Sequence, residues 1–260
     1  MLEAYRSIFR LDGRRAIVVG AGSGIGEASA EALAAHGAHV VCADLDEGRA
    51  RAVADRIREE GGAAESTVID VRDTASVEST LDDARVNILV STPGVNVRKR
   101  IDDVSDQEFD RVIDTNLKGT FRLARSAARR MSVSGGGSII AFASIRAQVV
   151  EPGQGVYAAT KAGIVQMLRA VAAEHGRHGV RANAVAPGVV ETPLTAQIKS
   201  DPQWYDAYAR RSALGRWGQP REIAGAVVYL ASDAASFVTG ACLFVDGGWT
   251  AVDGRFDPPL

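Results

Sequence analysis

Residues 16–26 read Ala16-Ile-Val-Val-Gly-Ala-Gly-Ser-Gly-Ile-Gly26, four apolar residues that run straight into a glycine-rich turn. The apolar run is too continuous for a strand with a solvated face and suits one buried on both sides, as in a parallel sheet. A helical pattern, Ile25 to His36, follows without a linker. Small residues at such a junction let the backbone pass close to a pyrophosphate, while the helix N-terminus offers unpaired N–H groups and the positive end of its dipole. Gly20, Gly24 and Gly26 follow a GxxxGxG spacing instead of the generic dinucleotide GxGxxG. Taken alone, the stretch also reads as a tight strand-to-helix turn, since glycine serves turns wherever it occurs.

The next two strand ends narrow that choice. Val40-Val-Cys-Ala-Asp44 ends on a carboxylate 20 residues after Gly24, where it can accept both ribose hydroxyls of an adenosine and repel a 2′-phosphate. This favours NAD over NADP. No Arg or Lys lies within the glycine loop to reverse the preference, although Arg49 stands close by. Asp70, in Val68-Ile-Asp-Val71, can reach an adenine amino group or simply cap the next turn.

Outward from this core, short apolar runs alternate with longer amphipathic stretches along the whole chain. Ala16–Val19, His39–Ala43, Thr67–Ile69, Ile88–Val90, Ser138–Phe142, Ala182–Ala186 and Leu243–Val245 read as strands. Between them Ile25–His36, Glu47–Glu60, Ser76–Ala84, Gln107–Met131, Tyr157–His175 and Arg221–Leu230 read as helices. The alternation predicts an α/β fold, a single doubly wound parallel sheet of about seven strands with helices on both faces, spanning residues 1–260 as one domain. One polar insertion, Pro193 to Gly218, breaks the pattern; it carries Trp204, Tyr205, Tyr208 and Trp217 and reads as a substrate lid or an interface element.

Composition sets the class of partner. Of 260 residues 46% are hydrophobic and 24% charged, with a formal net charge of −2, so no electrostatic surplus points to nucleic acid or an anionic membrane. A small molecule is the expected partner. The N-terminus lacks an uninterrupted apolar segment after a basic one, and no later stretch offers a charge-free span of membrane length, which predicts a cytoplasmic protein. Cys42 and Cys242 lie in apolar runs and read as buried thiols, not as a disulfide or metal pair.

The chemistry is carried by Tyr157-Ala-Ala-Thr-Lys161, which places a phenol and an ammonium at i and i+4 on one helix face. A nearby cation stabilises phenolate, and a phenol whose pKa falls toward neutrality can exchange a proton with an alcohol or a carbonyl. Upstream, Ser144 follows the strand Ser138-Ile-Ile-Ala-Phe142 and can bond the same substrate oxygen, while Asn116 is an amide within an apolar and small setting. Each also has a plainer reading: a surface Tyr-Lys pair, a strand-end turn, a satisfied buried amide.

Together these features resemble the short-chain dehydrogenase/reductase family. The resemblance runs from the first strand to the Asp246-Gly-Gly turn and rests on GxxxGxG, YxxxK with its upstream serine, the asparagine in the long helix, and Pro187-Gly188 followed by Thr192. It implies Tyr157 as acid/base, Lys161 as the group lowering its pKa and holding the nicotinamide ribose, Ser144 as the group orienting the substrate oxygen, and Asn116 as holder of a relay water. It further implies a cofactor contact set of Gly20, Ser23, Gly24, Ile25 and Gly26 at the pyrophosphate, Asp44 at the ribose, Asp70 and Val71 at the adenine, and Gly94, Pro187, Val189 and Thr192 near the nicotinamide. A homotetramer, with the long helices after Gln107 and Tyr157 at one interface, is implied as well.

Two stretches depart from that family's pattern. Val19 stands where a threonine usually precedes the first glycine, and Ser91-Thr92-Pro93-Gly94 stands where Asn-Asn-Ala-Gly is usual. The two sites are expected to face each other, with Pro93 outside the ladder and Ser91 or Thr92 supplying the polar bonding. The segment from Asp70 to Ile88 is also about one helical turn short. Around the substrate the sequence points to Asn96, Arg98, Lys99, Arg146, Gln148, Gln154 and the aromatic lid. Arg98, Lys99 and Arg100 also read as a solvated charge run. The substrate class favoured is a hydroxylated secondary alcohol or its ketone, such as a sugar, polyol or sugar acid, with NAD or NADP as acceptor. The alternatives are a 3-oxoacyl-(acyl-carrier-protein) ketoreductase, against which Asp44 and Ala173 argue, and an NAD-binding sensor without turnover. The tail Asp253-Gly-Arg-Phe-Asp-Pro-Pro-Leu260 is expected to reach a neighbour or the lid, or to fray.

Overall fold

In a strand covered on both faces, successive side chains enter different hydrophobic layers, and β1 (Arg15–Val19) follows this rule. Ala16 and Val18 join Leu33, Val53, Ile57, Ile140, Val185 and Val227 on one side. Ile17 and Val19 join Leu89, Leu123, Met131, Ile139, Ile164 and Leu168 on the other. Most of these side chains are fully buried, each contributing on the order of 1.5–3 kcal/mol relative to exposure.

The computed structural model describes residues 2–82 and 85–252. The remaining strands are β2 (His39–Asp44), β3 (Ala63–Val68), β4 (Ile88–Ser91), β5 (Gly137–Phe142), β6 (Val180–Pro187) and β7 (Cys242–Val245). All pairings are parallel, in the order β3-β2-β1-β4-β5-β6-β7. The helices are α1 (Leu2–Ser7), α2 (Gly24–Ala35), α3 (Glu47–Glu59), α4 (Thr74–Asp82), α5 (Asp106–Val112), α6 (Gly119–Val133), α7 (Gly155–His175), α8 (Ala196–Lys199), α9 (Pro202–Arg211) and α10 (Pro220–Ala231). The doubly wound α/β arrangement expected from the sequence is present. No helix among the described residues is long and apolar enough to cross a membrane.

Three elements differ from the sequence reading. The third strand begins at Ala63, well before Thr67, because β3 is the edge of the sheet and there tolerates Glu65, Ser66 and Thr67. The long helix expected over Gln107–Met131 is divided between α5 and α6 by a π-helical turn, Ile113–Lys118. Such a turn carries an inserted residue that hydrophobic periodicity over two dozen positions does not resolve. The helix expected over Ser76–Ala84 starts at Thr74 and is described to Asp82; its end at Ala84 and the tail Asp253–Leu260 lie outside the described residues. Both cysteines are free, Cys42 buried and Cys242 half-buried, and burial pushes the Cys42 thiol up to about 12.

Residues 193–218 contain a 3-10 turn (Pro193–Thr195), α8 and α9. They build a small core of their own. Tyr205 stacks on Trp217 at 4.8 Å between centroids, Tyr208 lies 5.9 Å from Trp217 and 5.4 Å from Trp249, and Ile145 and Ile198 complete the cluster.

Candidate active site

The chain reverses direction across the sheet between β1 and β4, and the crevice beyond their C-terminal ends is where open α/β sheets take ligands. A cavity of about 410 Å3 opens there, lined by Gly20, Ser23, Gly24, Ile25, Gly26, Asp44, Asp70, Val71, Gly94 and Thr192, among others. Gly20 and Gly24 adopt φ of 81° and 58°, a region that favours glycine. At Gly26 a Cβ would collide with the carbonyl of Gly20. Ser23 precedes α2 without a side-chain capping bond, so the first-turn N–H groups have no hydroxyl cap competing with a ligand anion.

Asp44 is held by its surroundings. Its Oδ2 accepts from the Gly22 N–H at 2.9 Å and its Oδ1 from the Asp46 N–H at 3.0 Å, which fixes the carboxylate at the rim of the cradle. Asp70 caps the turn that follows it while facing the cavity. It lines the cavity and also accepts from the Arg72 backbone at 2.9 Å and guanidinium at 2.8 Å, and the Arg72 hydrogen bonds hold its carboxyl below the usual range.

The turn after β4 closes against the glycine loop as a paired change. β4 ends at Ser91, so Pro93 lies outside the ladder and its missing N–H costs no strand bond. Thr92 donates its N–H to the Val19 carbonyl at 3.0 Å, and its hydroxyl reaches the Val19 carbonyl at 2.9 Å and the Gly20 carbonyl at 3.3 Å. The hydroxyl that Val19 lacks is therefore supplied from the opposite side. Ser91 takes no part, its Oγ being buried without a partner.

Beyond the cradle the groove continues past Phe142, Ser144, Tyr157, Lys161 and Pro187, then into a small cavity of about 80 Å3 lined by Asn96, Arg98, Arg146, Gln154, Val189 and Tyr208 with Ser144 and Tyr157. Lys161 is buried and donates to the Phe142 carbonyl at 2.7 Å; its Nζ lies 5.4 Å from the centroid of the Tyr157 ring. Desolvation lowers the Lys161 ammonium to about 8. The Tyr157 phenol is displaced upward, not toward neutrality. Burial is the largest cause, opposed by a hydrogen bond from Ser144 and by the charges of Arg146 and Arg98.

Asn116 sits in the π-helical turn, fully buried. Its Oδ1 accepts from the Val95 N–H at 2.8 Å, and its Nδ2 donates to the Val95 carbonyl at 2.9 Å and to Thr160 Oγ1 at 3.3 Å. The side chain thus clamps the loop that follows Gly94 instead of standing open toward the groove. Of the residues expected at the substrate, Asn96, Arg98, Arg146 and Gln154 line the small cavity. Lys99 instead pairs with Glu108 at 2.7 Å, and Lys99, Arg100 and Gln148 are exposed, so the solvated reading of the charge run holds for Lys99 and Arg100 but not for Arg98.

One residue escaped the sequence reading. Glu151 collects Arg146 Nη2 at 2.5 Å, the Tyr208 hydroxyl at 2.5 Å and the Gln154 amide. Two of its donors, Arg146 and Gln154, flank it in sequence and the third, Tyr208, comes from α9, a convergence that the residue types around Glu151 do not signal.

Residues 20–250 match a family model described as enoyl-(acyl carrier protein) reductase. The D-threitol dehydrogenase of Mycolicibacterium smegmatis is 40% identical over 247 residues, covering 93% of this chain and 95% of that protein. The galactitol 2-dehydrogenase (L-tagatose-forming) of Cereibacter sphaeroides is 39% identical over 254 residues, covering 95% and 98%. A crystal structure of a gluconate 5-dehydrogenase from Burkholderia cenocepacia, in complex with NADP and tartrate, is similar at a TM-score of 0.92 and 38% identity, covering 95% of this chain and 98% of that one.

Proposed function

Because the chain belongs to the short-chain dehydrogenase/reductase family, we propose that it interconverts a secondary alcohol and a ketone on a sugar, polyol or related hydroxylated small molecule, with NAD(H). The observation that carries the proposal is the continuity of the groove: the glycine cradle adjoins Ser144, Tyr157 and Lys161, and these adjoin a polar cavity. The names of the curated relatives, acting on threitol and galactitol, support the substrate class.

The residues present fit a nicotinamide dinucleotide, since the glycine cradle leaves no room for side chains where a pyrophosphate would lie and Asp44 stands ready at the ribose end. Gly20, Ser23, Gly24, Ile25 and Gly26 would hold the pyrophosphate, Asp70 and Val71 the adenine, and Gly94, Pro187, Val189 and Thr192 the nicotinamide end. We assign NAD because the fixed Asp44 carboxylate disfavours a 2′-phosphate, although the similar crystal structure holds NADP. A bound nicotinamide supplies the hydride acceptor or donor. In the oxidative direction the Tyr157 oxygen takes the alcohol proton, and in reduction it returns one. Ser144 orients the reacting oxygen by hydrogen bonding, and the Lys161 ammonium, with two protons free beyond its bond to Phe142, holds the nicotinamide ribose. Asn116 acts from the π-helical turn as a positioning residue, fixing the Val95 backbone beside Gly94.

The aromatic segment 193–218 serves as the lid, its Leu194, Thr195, Ile198 and Tyr208 lining the small cavity. We assign the protein to the cytoplasm on its two free thiols and to a homotetramer on its family. Exposed Phe109 and Phe121 on α5 and α6 are consistent with that assembly.

A screen of NAD reduction over polyols, sugar acids and secondary alcohols tests the activity, and Tyr157→Phe tests the mechanism. The variant is expected to lose turnover by at least roughly a hundredfold, the scale of general acid/base catalysis, while still binding NAD. Unchanged turnover in Tyr157→Phe would sink the mechanism; tight NAD binding without turnover of any alcohol would favour the sensor.

A further inference from the structure

Three of the polar residues that line the small cavity meet on one carboxylate. Arg146 and Gln154 are both at least nine-tenths buried, and Tyr208 belongs to the lid helix α9; all three line the cavity, and all three donate to Glu151. Gln154 passes the chain on, its Oε1 accepting from Asn96 Nδ2 at 2.9 Å. Burial and the bond to Glu151 both push the Tyr208 phenol up, so it stays protonated and keeps donating.

A guanidinium as buried as Arg146 is tolerated when a carboxylate compensates it, and removal of that partner leaves an uncompensated charge. The second guanidinium at the cavity, Arg98, has no carboxylate partner among the described residues, and lies over the Trp204 ring at 5.4 Å. The two cations of the pocket are thus unequal: one is cancelled inside the wall, the other is open.

Resting on the dehydrogenase reading above, we propose that Glu151 is a positioning and specificity-determining residue. By cancelling the charge of Arg146 while tying it to the lid, it makes that end of the cavity select an uncharged hydroxylated group over an anionic one.

Wild-type protein, Glu151→Gln, Arg146→Gln and the double variant are compared at saturating cofactor with galactitol and with D-gluconate, a neutral and an anionic probe. The ratio of kcat/KM for gluconate to that for galactitol is expected to rise roughly tenfold in Glu151→Gln, about the size of one charge-assisted contact. It should fall by a similar factor in Arg146→Gln, where the carboxylate is left uncompensated, and return to within roughly threefold of wild type in the double variant. A residue that only shapes the loop changes both probes by one factor, and an unchanged ratio across the four proteins overturns the proposal. The same order is sought in the shift of Tm that each probe causes with cofactor present. If wild type turns over neither probe, the thermal order decides the charge assignment, and the wider alcohol screen decides the dehydrogenase reading. Binding of neither probe by any of the four proteins overturns the assignment too.

Discussion

Lys161 is a buried ammonium whose described protein partner is a neutral carbonyl, and this makes a quantitative prediction for Lys161→Met. Lowering the group from 10.5 to about 8 corresponds to about 3 kcal/mol of penalty on the charged form in the folded chain. Below pH 8 the side chain is charged in folded and unfolded states alike, and the penalty is fully present. Between about 8 and 10.5 the folded chain releases the proton while the unfolded chain keeps it, so this contribution raises stability as pH rises. Methionine fills a similar volume and does not titrate. It also cannot donate to the Phe142 carbonyl, a loss of about 1–3 kcal/mol. At pH 7 the two effects nearly cancel or leave the variant up to about 2 kcal/mol more stable; at pH 10.5 only the lost bond remains and wild type is the more stable. The difference in Tm should therefore shift by roughly 6 °C across that range in favour of wild type, at about 2 °C per kcal/mol for a chain of this size. Thermal unfolding of both proteins, without cofactor and at constant ionic strength, measures it. A difference that stays flat from pH 7 to 10.5 would falsify the picture of a desolvated Lys161. Turnover should be lost in Lys161→Met throughout, so any stability gained at pH 7 exposes a cost carried for function.

Two further predictions concern the cofactor cradle. Thr92→Val keeps shape but removes the hydroxyl bound to the Val19 and Gly20 carbonyls; NAD affinity measured by calorimetry should weaken roughly three- to tenfold, about 1 kcal/mol. Ser91→Ala, which removes a buried hydroxyl without a partner, should leave affinity unchanged, and the reverse ranking would show that Ser91 holds the turn. Asp44→Ser should lower the preference for NAD over NADP by roughly tenfold or more in kcat/KM. It also removes the acceptor of the Gly22 N–H, so affinity for both cofactors is expected to fall somewhat; loss of both in equal proportion would mean that Asp44 only supports the loop.

Central strands could be read from the sequence because burial on both faces writes an unbroken apolar run, as in β1 and β4. At the edge strand β3 that constraint lapses, and the polar Glu65 and Ser66 hid its beginning. Spacing along α7 brought Tyr157 and Lys161 together, yet it encodes neither depth nor the neighbours from other segments. The phenol is displaced upward because it is buried, and it feels Arg146 and Arg98 from two different loops. The pleat decided between the two hydroxyls of Ser91-Thr92: the first is buried within β4, while the second lies beyond the strand end and meets Gly20.

Glu151 marks where sequence reading stops for a physical reason. Arg146 and Gln154 show themselves as polar residues near Ser144 and Tyr157, and from residue types alone they suggest a cationic, amide-rich mouth suited to an anion. That inference assumes their charges and donors face the substrate. In the folded chain Arg146, Gln154 and Tyr208 have already spent donors on one carboxylate, so the electrostatics of the cavity depend on which pairs close internally. Arg98, left without a carboxylate partner among the described residues, then carries more of the pocket's attraction for an anion than the number of its cations implies. Arg146 and Gln154 lie within a few residues of Glu151, but the bond from Tyr208 reaches it from α9, and it is this pairing across the fold that no local spacing records.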